Sequence, residues 1–372
     1  MAFTIDNIPL IEVLYHNTRV GRIAQTPQQL CAFEYDAEFI QNGFSISPYF
    51  LPLRQGLMIA KPQPFGGNFG VFNDSLPDGW GTIILHRYLL SKGIIASHLT
   101  ILQRLALIGS GGRGALEYKP SLSSYPLSDS ININEIADEC SKIHNSEEYT
   151  GTSIQTLHTQ AGSSGGARPK VFVRHQNKEW LVKFKAHVDP THIGHIEYEY
   201  ARIAQLCGII MPQTRLFENK YFGVERFDRT ESHKIHTITA AGLLHADYRI
   251  PSLDYEQLLT VCLQLTKNME EVFQLFRRMV FNVIISNRDD HANNFSFQHT
   301  NNQWKLSPAY DMLPSTGFNG FHTTTINGQG NPTKADILTV AKQVGITNKQ
   351  ANHCIDEIRE ICKKEQTVNY EI

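Results

Sequence analysis

The chain has 372 residues, is 41% hydrophobic and lies close to electroneutrality, with 34 Lys and Arg against 36 Asp and Glu. That length suits two or three domains with ordinary cores, and the balanced charge without a basic tail argues against broad, sequence-independent nucleic-acid binding. Six scattered cysteines with no Cys-x-x-Cys pair read as reduced thiols of a cytoplasmic protein, and neither a signal pattern nor a membrane-length apolar run is present.

Residues 9–15 predict a strand, 16–19 a turn and 20–24 the return strand. Shorter strands follow at 33–36 and 51–53, giving a small β-rich unit. The turn-rich stretch 72–80 leads into a helix near 80–92, with a second helix near 97–107. Residues 119–130, rich in Ser and Pro, read as a linker, and a helix follows near 133–144. Residues 168–185 alternate around a polar turn at 175–178, which predicts a hairpin. A helix near 193–207 stops at Gly208, a natural C-cap, and two short strands fall within 213–227. Beyond Thr230 the pattern is mostly helical, with helices at 254–265, 268–286, 334–344 and 347–363. A β-rich part followed by a helical part is the order of a two-lobed, kinase-like α+β protein.

Several residues in this frame can carry chemistry. Gln160 to Lys170 is rich in Gly and Ser; glycines let backbone N–H groups approach phosphate oxygens, though such a run also serves as a plain turn. Lys183 and Lys185 share one face of the second hairpin strand, and either ammonium could meet phosphates. Glu197 and Glu199 open the next helix, where an acid either pairs with the strand Lys or simply suits the helix dipole. Gly223 to Arg229 ends a strand where an adenine-binding hinge would lie. The strongest set is Asp289, Asn294 and Asp311. An Asp followed by an Asn five residues on, then by a second Asp, supplies a group for the acceptor hydroxyl and two hard oxygen ligands for Mg2+. Asp289, Asp290 and His291 as direct metal ligands are the chemical rival.

These segments together resemble the HipA family of bacterial Ser/Thr protein kinases, the toxins of HipA–HipB toxin–antitoxin modules. The resemblance rests on Gly162–Lys170, Trp180–Phe184, Val224–Arg229, Asn287–Ser296 and Tyr310-Asp311, with Phe33–Asp36 and Leu76–Gly79 for the N-terminal part. It implies an α+β, two-lobed protein-kinase-like fold with a β-rich N-terminal lobe and an all-helical C-terminal lobe. The expected division is a HipA-like N-terminal subdomain over 1–125, a kinase N-lobe over 126–230 and a helical C-lobe over 231–372.

The resemblance also implies roles. Asp289 is the catalytic Asp, and Asn294 and Asp311 are the metal ligands. Lys183, rather than Lys185, holds phosphate. Ser164, Gly165, Gly166, Ala167, Arg168 and Pro169 form the phosphate loop, while Glu225, Arg226 and Phe227 form the hinge. His291, Asn294 and Tyr310 complete the ATP site, and Ser163 or Ser164 is the autophosphorylated serine. ATP and Mg2+ are the implied cofactors. A HipB-like DNA-binding antitoxin and a translation component such as an aminoacyl-tRNA synthetase are the implied partners, with DNA reached only through the antitoxin. Two departures stand out: Asp290 replaces the usual Gly and Asn293 the usual Lys, which predicts a more negative field at the site. A catalytically weak subunit that binds an antitoxin, and a metal-dependent phosphohydrolase, are the alternatives.

Overall fold

The computed structural model describes residues 5–123, 132–145, 154–162, 165–317 and 319–365. The chain divides into two compact units, one of residues 1–195 and 214–238, the other of 196–213 and 239–372.

In the first unit, β1 (Leu10–Tyr15), β2 (Thr18–Gln25) and β3 (Cys31–Tyr35) form an antiparallel meander. β4 (Met58–Ile59) extends one edge and β5 (Leu116–Lys119) the other. Alternation buries Ile11, Val13, Ile23 and Phe33 on the inner side. Helices α1 (Ala37–Asn42), α2 (Gly70–Asn73), α3 (Gly79–Ser91) and α4 (Ile101–Ile108) lie between the strands in sequence. Thr100 and Gln103 form a capping box that starts α4.

A second antiparallel sheet follows α5 (Ile133–Asn145) and α6 (Ile154–Ala161). Its strands β6 (Lys170–His175), β7 (Lys178–Lys183), β8 (Thr214–Phe217) and β9 (Tyr221–Glu225) lie in the order β6-β7-β9-β8. Helix α7 (Ile193–Leu206) interrupts them in sequence, and β10 (His236–Thr239) ends the segment. Trp80, Ile84 and Leu89 of α3 share one core with Cys140 of α5, Leu157 of α6 and the sheet residues Val171, Trp180 and Val182.

The second unit is built around α10. Its elements are α8 (Ala240–Leu244), β11 (Leu253–Asp254), α9 (Tyr255–Thr266), α10 (Met269–Ile284), β12 (Ser296–Thr300), β13 (Gln303–Leu306), β14 (Thr324–Thr325), α11 (Lys334–Gln343) and α12 (Asn348–Lys364). Every residue of α10 from Arg278 to Ile284 is buried, as befits a helix packed on all sides.

Most expected helices fall within two residues of the sequence expectations; α4 begins at Ile101, four residues later than expected. The sequence does not foretell α1, α2, α6 or α8, and most of the expected linker, from residue 124, lies outside the described residues. One detail needs correction: the C-terminal part is not purely helical, since β12 and β13 form a hairpin and β11 pairs with β14. The hairpin has its own local cause. Aromatic and β-branched residues surround Asn301-Asn302, which take φ of 50° and 57°, the left-handed pair of a two-residue type I′ turn. The β1–β2 and β6–β7 hairpins turn the same way, through His16-Asn17 and Gln176-Asn177. In each, the second residue is Asn, the residue after Gly that best tolerates this conformation.

Within the first unit, a buried charge cluster ties β9 to the stretch before β5. Asp228 accepts from the Gly114 N–H at 2.8 Å, from Arg226 at 2.9 and 2.8 Å, and from Arg229 at 2.9 Å. Arg229 also donates to the carbonyls of Gly112 and Gly114. Burial pushes the Asp228 carboxyl up, but the two guanidiniums and the Gly114 N–H outweigh it and hold the group far below the ordinary carboxylate range. Asp228→Ala should therefore cost about 3–5 kcal/mol of stability at neutral pH. The folded pKa lies below the unfolded one, so the contribution is complete above about pH 4 and fades as pH falls further. Urea denaturation at pH 7 and pH 3 checks this: the gap between wild type and variant should narrow at the lower pH.

Candidate functional site

α10 delivers the strongest sequence candidates. After Ile284 the chain turns through Ser286 at φ 53°, and the Asn287 N–H donates to the Asn282 carbonyl at 2.8 Å. Asp289 then stands out, with its side chain 59% exposed, while the next residue, Asp290, is buried. The Asn294 amide reaches back, its Nδ2 donating to the Asp289 carbonyl at 2.7 Å. With Nδ2 spent there, Oδ1 is the oxygen this amide presents. His291 Nε2 lies 4.0 Å from Asp289 Oδ1. Asp289, His291 and Asn294 thus form one compact loop group.

Asp290 does not add a charge beside Asp289; it points inward. Its Oδ2 accepts from the Tyr255 hydroxyl at 3.0 Å and faces His322 Nδ1 at 2.9 Å. Its Oδ1 accepts from the Thr323 and Thr324 N–H groups at 3.0 and 3.2 Å. The network continues behind it: Asn282 Nδ2 donates to the Tyr255 hydroxyl, and Asn287 Nδ2 donates both to Asn282 Oδ1 and to the Asp311 carbonyl, each at 3.0 Å. Asp311 is half-buried and takes φ 54°, an uncommon conformation for a residue with a Cβ. The Asn287 amide holds its carbonyl there.

Tyr310, expected against the nucleotide, has its hydroxyl engaged within the unit. It donates to the Asn293 carbonyl at 2.7 Å and lies 2.6 Å from Ser296 Oγ. Asn293 Oδ1 accepts from Thr239 Oγ1 at 3.3 Å. Beneath the segment, Arg278 donates to the Ser307 carbonyl at 2.6 Å, and burial pulls its guanidinium down to about 10. Sequence reading missed Tyr255, Asn282, Asn287, Arg278 and His322. For Arg278 and Asn282 the one signal was a polar residue set into the buried stretch of α10; the other three lie off that helix and had none.

The remaining candidates lie in the first unit, except Glu197 and Glu199, which belong to the second. Lys183 is buried, with Nζ 5.6 Å from the centre of the Phe222 ring, whereas Lys185 is exposed. Lys183 stands directly opposite Lys170 across the β6–β7 ladder, so two ammonium groups share one face of the sheet. Lys170 Nζ donates to the Gly165 carbonyl. Gly166 and Ala167 are exposed. Pro169 anchors the end of the loop by accepting from the Phe184 N–H at 2.8 Å. Arg168 chelates Asp189 at 2.9 and 3.0 Å. Burial raises the Asp189 carboxyl, but Arg168 and the Ala186 N–H bring it below the usual range. Ser163 and Ser164 lie outside the described residues. Of the two helix acids, Glu197 is buried, while Glu199 is an exposed partner of Arg202 at 2.9 Å.

The expected hinge is largely committed to other contacts. Glu225 pairs with Lys178 at 2.9 Å, and the Arg226 N–H donates to the Glu179 carbonyl at 2.8 Å. The Arg226 guanidinium stacks over Phe172 at 4.2 Å besides binding Asp228. Phe227 is half-buried. Glu225 lies opposite Trp180, three residues along β7 from Lys183, or roughly 10 Å at 3.3 Å per residue.

Asp290 is the test of how the loop is held. In Asp290→Asn one oxygen can still accept from the Thr323 and Thr324 amides, but an NH2 faces the other donors. The substitution should lower stability by about 2–3 kcal/mol, measured as a shift in urea midpoint at unchanged slope.

Comparison with known proteins agrees with this architecture. The HipA-like C-terminal domain matches residues 162–365, and the HipA N-terminal domain matches residues 11–119. A protein of Sinorhizobium fredii named "Putative kinase Y4dM" is 26% identical over 353 residues, covering 87% of this chain and 81% of its own. A Haemophilus influenzae protein, also named a "Putative kinase", is 28% identical over 149 residues, 35% of this chain and 43% of its own. Among solved structures, HipA of Shewanella oneidensis MR-1, in complex with HipB and operator DNA, superposes with a TM-score of 0.71 at 17% identity, covering 97% of this chain and 92% of that one. The chain belongs to the HipA family and has its α+β, kinase-like fold.

Proposed function

We propose that the chain is an ATP- and Mg2+-dependent kinase that phosphorylates serine or threonine hydroxyls, acting as the toxin of a HipA–HipB type pair. The observation that carries this reading is the Asp289–Asn294 loop: an exposed carboxylate whose own carbonyl fixes the amide that presents an oxygen beside it. Asp289 accepts the proton of the acceptor hydroxyl as its oxygen bonds to the γ-phosphorus and the bond to ADP breaks. Asn294 Oδ1 and the Asp311 carboxylate are hard oxygen donors of the kind Mg2+ takes. Bound Mg2+ neutralises charge on the transferring phosphate. Lys183 holds the phosphates, and residues 164–169 supply backbone N–H groups. The Glu225–Phe227 segment would hold the adenine, with the half-buried Phe227 as its apolar surface. Tyr310 braces the 289–294 loop through the Asn293 carbonyl, and His291 lies in that loop beside Asp289.

The family resemblance supports the partners: a HipB-like antitoxin that carries the DNA contact, a translation component such as an aminoacyl-tRNA synthetase as substrate, and Ser163 or Ser164 as autophosphorylation sites. Residues 1–125 would be the N-terminal subdomain, 126–230 the nucleotide-binding part and 231–372 the catalytic part. All six cysteines are buried and unpaired in disulfides, in keeping with the cytoplasm. Among the described residues, no helix is long and apolar enough to cross a membrane.

Each of the two rival readings loses one of the residues it rested on. Asp290 spends both oxygens on protein donors, which suits neither a metal ligand nor a charge that blunts catalysis.

Incubation with labelled ATP and Mg2+, followed by phosphosite mapping, tests the assignment. Wild type should label Ser163 or Ser164. Asp289→Asn and Asp311→Asn should each lower transfer by about 100-fold or more with melting temperatures near wild type. Full activity in both variants refutes the kinase reading. Phosphate release without a phosphoprotein would instead identify a hydrolase, and nucleotide binding without transfer a binding subunit.

A further inference from the structure

The phosphate loop is not held by its own hairpin alone. Both backbone groups of Gly166 are taken by the turn that starts α3. The Gly166 N–H donates to Asp78 Oδ1 at 2.5 Å, and the Gly166 carbonyl accepts from the Trp80 N–H at 2.9 Å. Between them sits Gly79 at φ 43°, where a Cβ would fall 2.4 Å from the Gly166 oxygen. Only glycine permits that approach. From the other side, Lys170 Nζ grips the Gly165 carbonyl. Gly165 is equally confined, because a Cβ there would lie 2.7 Å from Asp78 Oδ1.

Asp78 occupies the N-cap of α3 yet makes no capping bond to its own helix, the usual work of an Asp at that position. Its carboxylate is directed to the loop instead. The base beneath it is firm: Trp80 is fully buried in the core shared with Val171, Trp180 and Val182, and Thr82 Oγ1 pins the turn through the Pro77 carbonyl at 2.9 Å.

We propose that Asp78 is a positioning residue for the nucleotide: it clamps Gly165-Gly166 onto the α3 turn and so sets the path of the phosphate loop over Lys183. The inference rests on the kinase reading above. Asp78 touches no reacting atom, so its removal should weaken nucleotide binding and leave the chemical step nearly intact.

Two measurements on the full-length protein test this. Hydrogen exchange of the peptide covering 162–170, without nucleotide, reads the clamp directly. Exchange should rise in Asp78→Ala and rise less in Asp78→Asn, whose amide oxygen still accepts without the charge. Steady-state kinetics with MgATP should then show KM for ATP raised about tenfold in Asp78→Ala, as expected for one lost charge-assisted hydrogen bond, with kcat within threefold and Asp78→Asn in between. Lys170→Met, which frees the loop from its other side, should raise KM likewise and stands in if Asp78→Ala fails to fold. Unchanged exchange, or unchanged KM in an active Asp78→Ala protein, overturns the proposal. A wild type that binds no nucleotide sinks the kinase reading instead, and the exchange data then decide the clamp by themselves.

Discussion

A carboxylate with no access to water must be surrounded by donors, because an unpaired buried charge is far too unfavourable to persist. Asp290 meets that demand with a hydroxyl, a ring nitrogen and two backbone amides drawn from α9 and from residues 322–324. Its position in the chain makes the arrangement consequential. Asp289 precedes it directly, so fixing Asp290 inward fixes the adjacent peptide, and with it the carbonyl to which Asn294 is tied. One buried acid thus holds its exposed neighbour in place. The same network reaches the other acid of the site, since Asn287 bonds both Asn282 and the Asp311 carbonyl.

The first unit uses a related device with different partners. Asp228 is satisfied by two guanidiniums and an amide, and Glu179 adds a second acid to the cluster. There the result is structural: Arg226 and Arg229 are immobilised, and β9 is tied to the segment at 112–114. A side chain so engaged cannot also read a ligand. Under the proposed kinase reading, adenine recognition at this turn would fall to backbone groups and to the half-buried Phe227.

Much of this was legible in the sequence because its signals are local. The helices of the C-terminal half announce themselves by period and caps. The spacing of Asp289, Asn294 and Asp311 is where the kinase proposal starts, since hard oxygens at such intervals suit phosphate-bound metal. What escaped depends on distant pairing. The β12–β13 hairpin is the exception: its turn signal, Asn301-Asn302, is local, but its strands are short and follow an Asx-rich loop. Asp290 looked like an added charge because nothing near it in sequence foretells Tyr255, His322 or the Thr323 and Thr324 amides. Lys183 and Lys185 share a face by alternation, and only burial separates them.

The glycine run shows why composition alone does not identify a phosphate loop. Glycine is needed where a backbone must come close to something, and in this chain that something is in part another backbone: Gly79 and Gly166 meet where neither tolerates a side chain. The lysines divide in the same way. Lys170 and Lys183 face each other across one ladder, an arrangement of like charges that is unfavourable until an acceptor is supplied. Lys170 finds its acceptor in the Gly165 carbonyl, and so becomes part of the loop's support. Lys183, one strand over, is also buried, and it is the lysine that the proposed kinase reading gives to the phosphates.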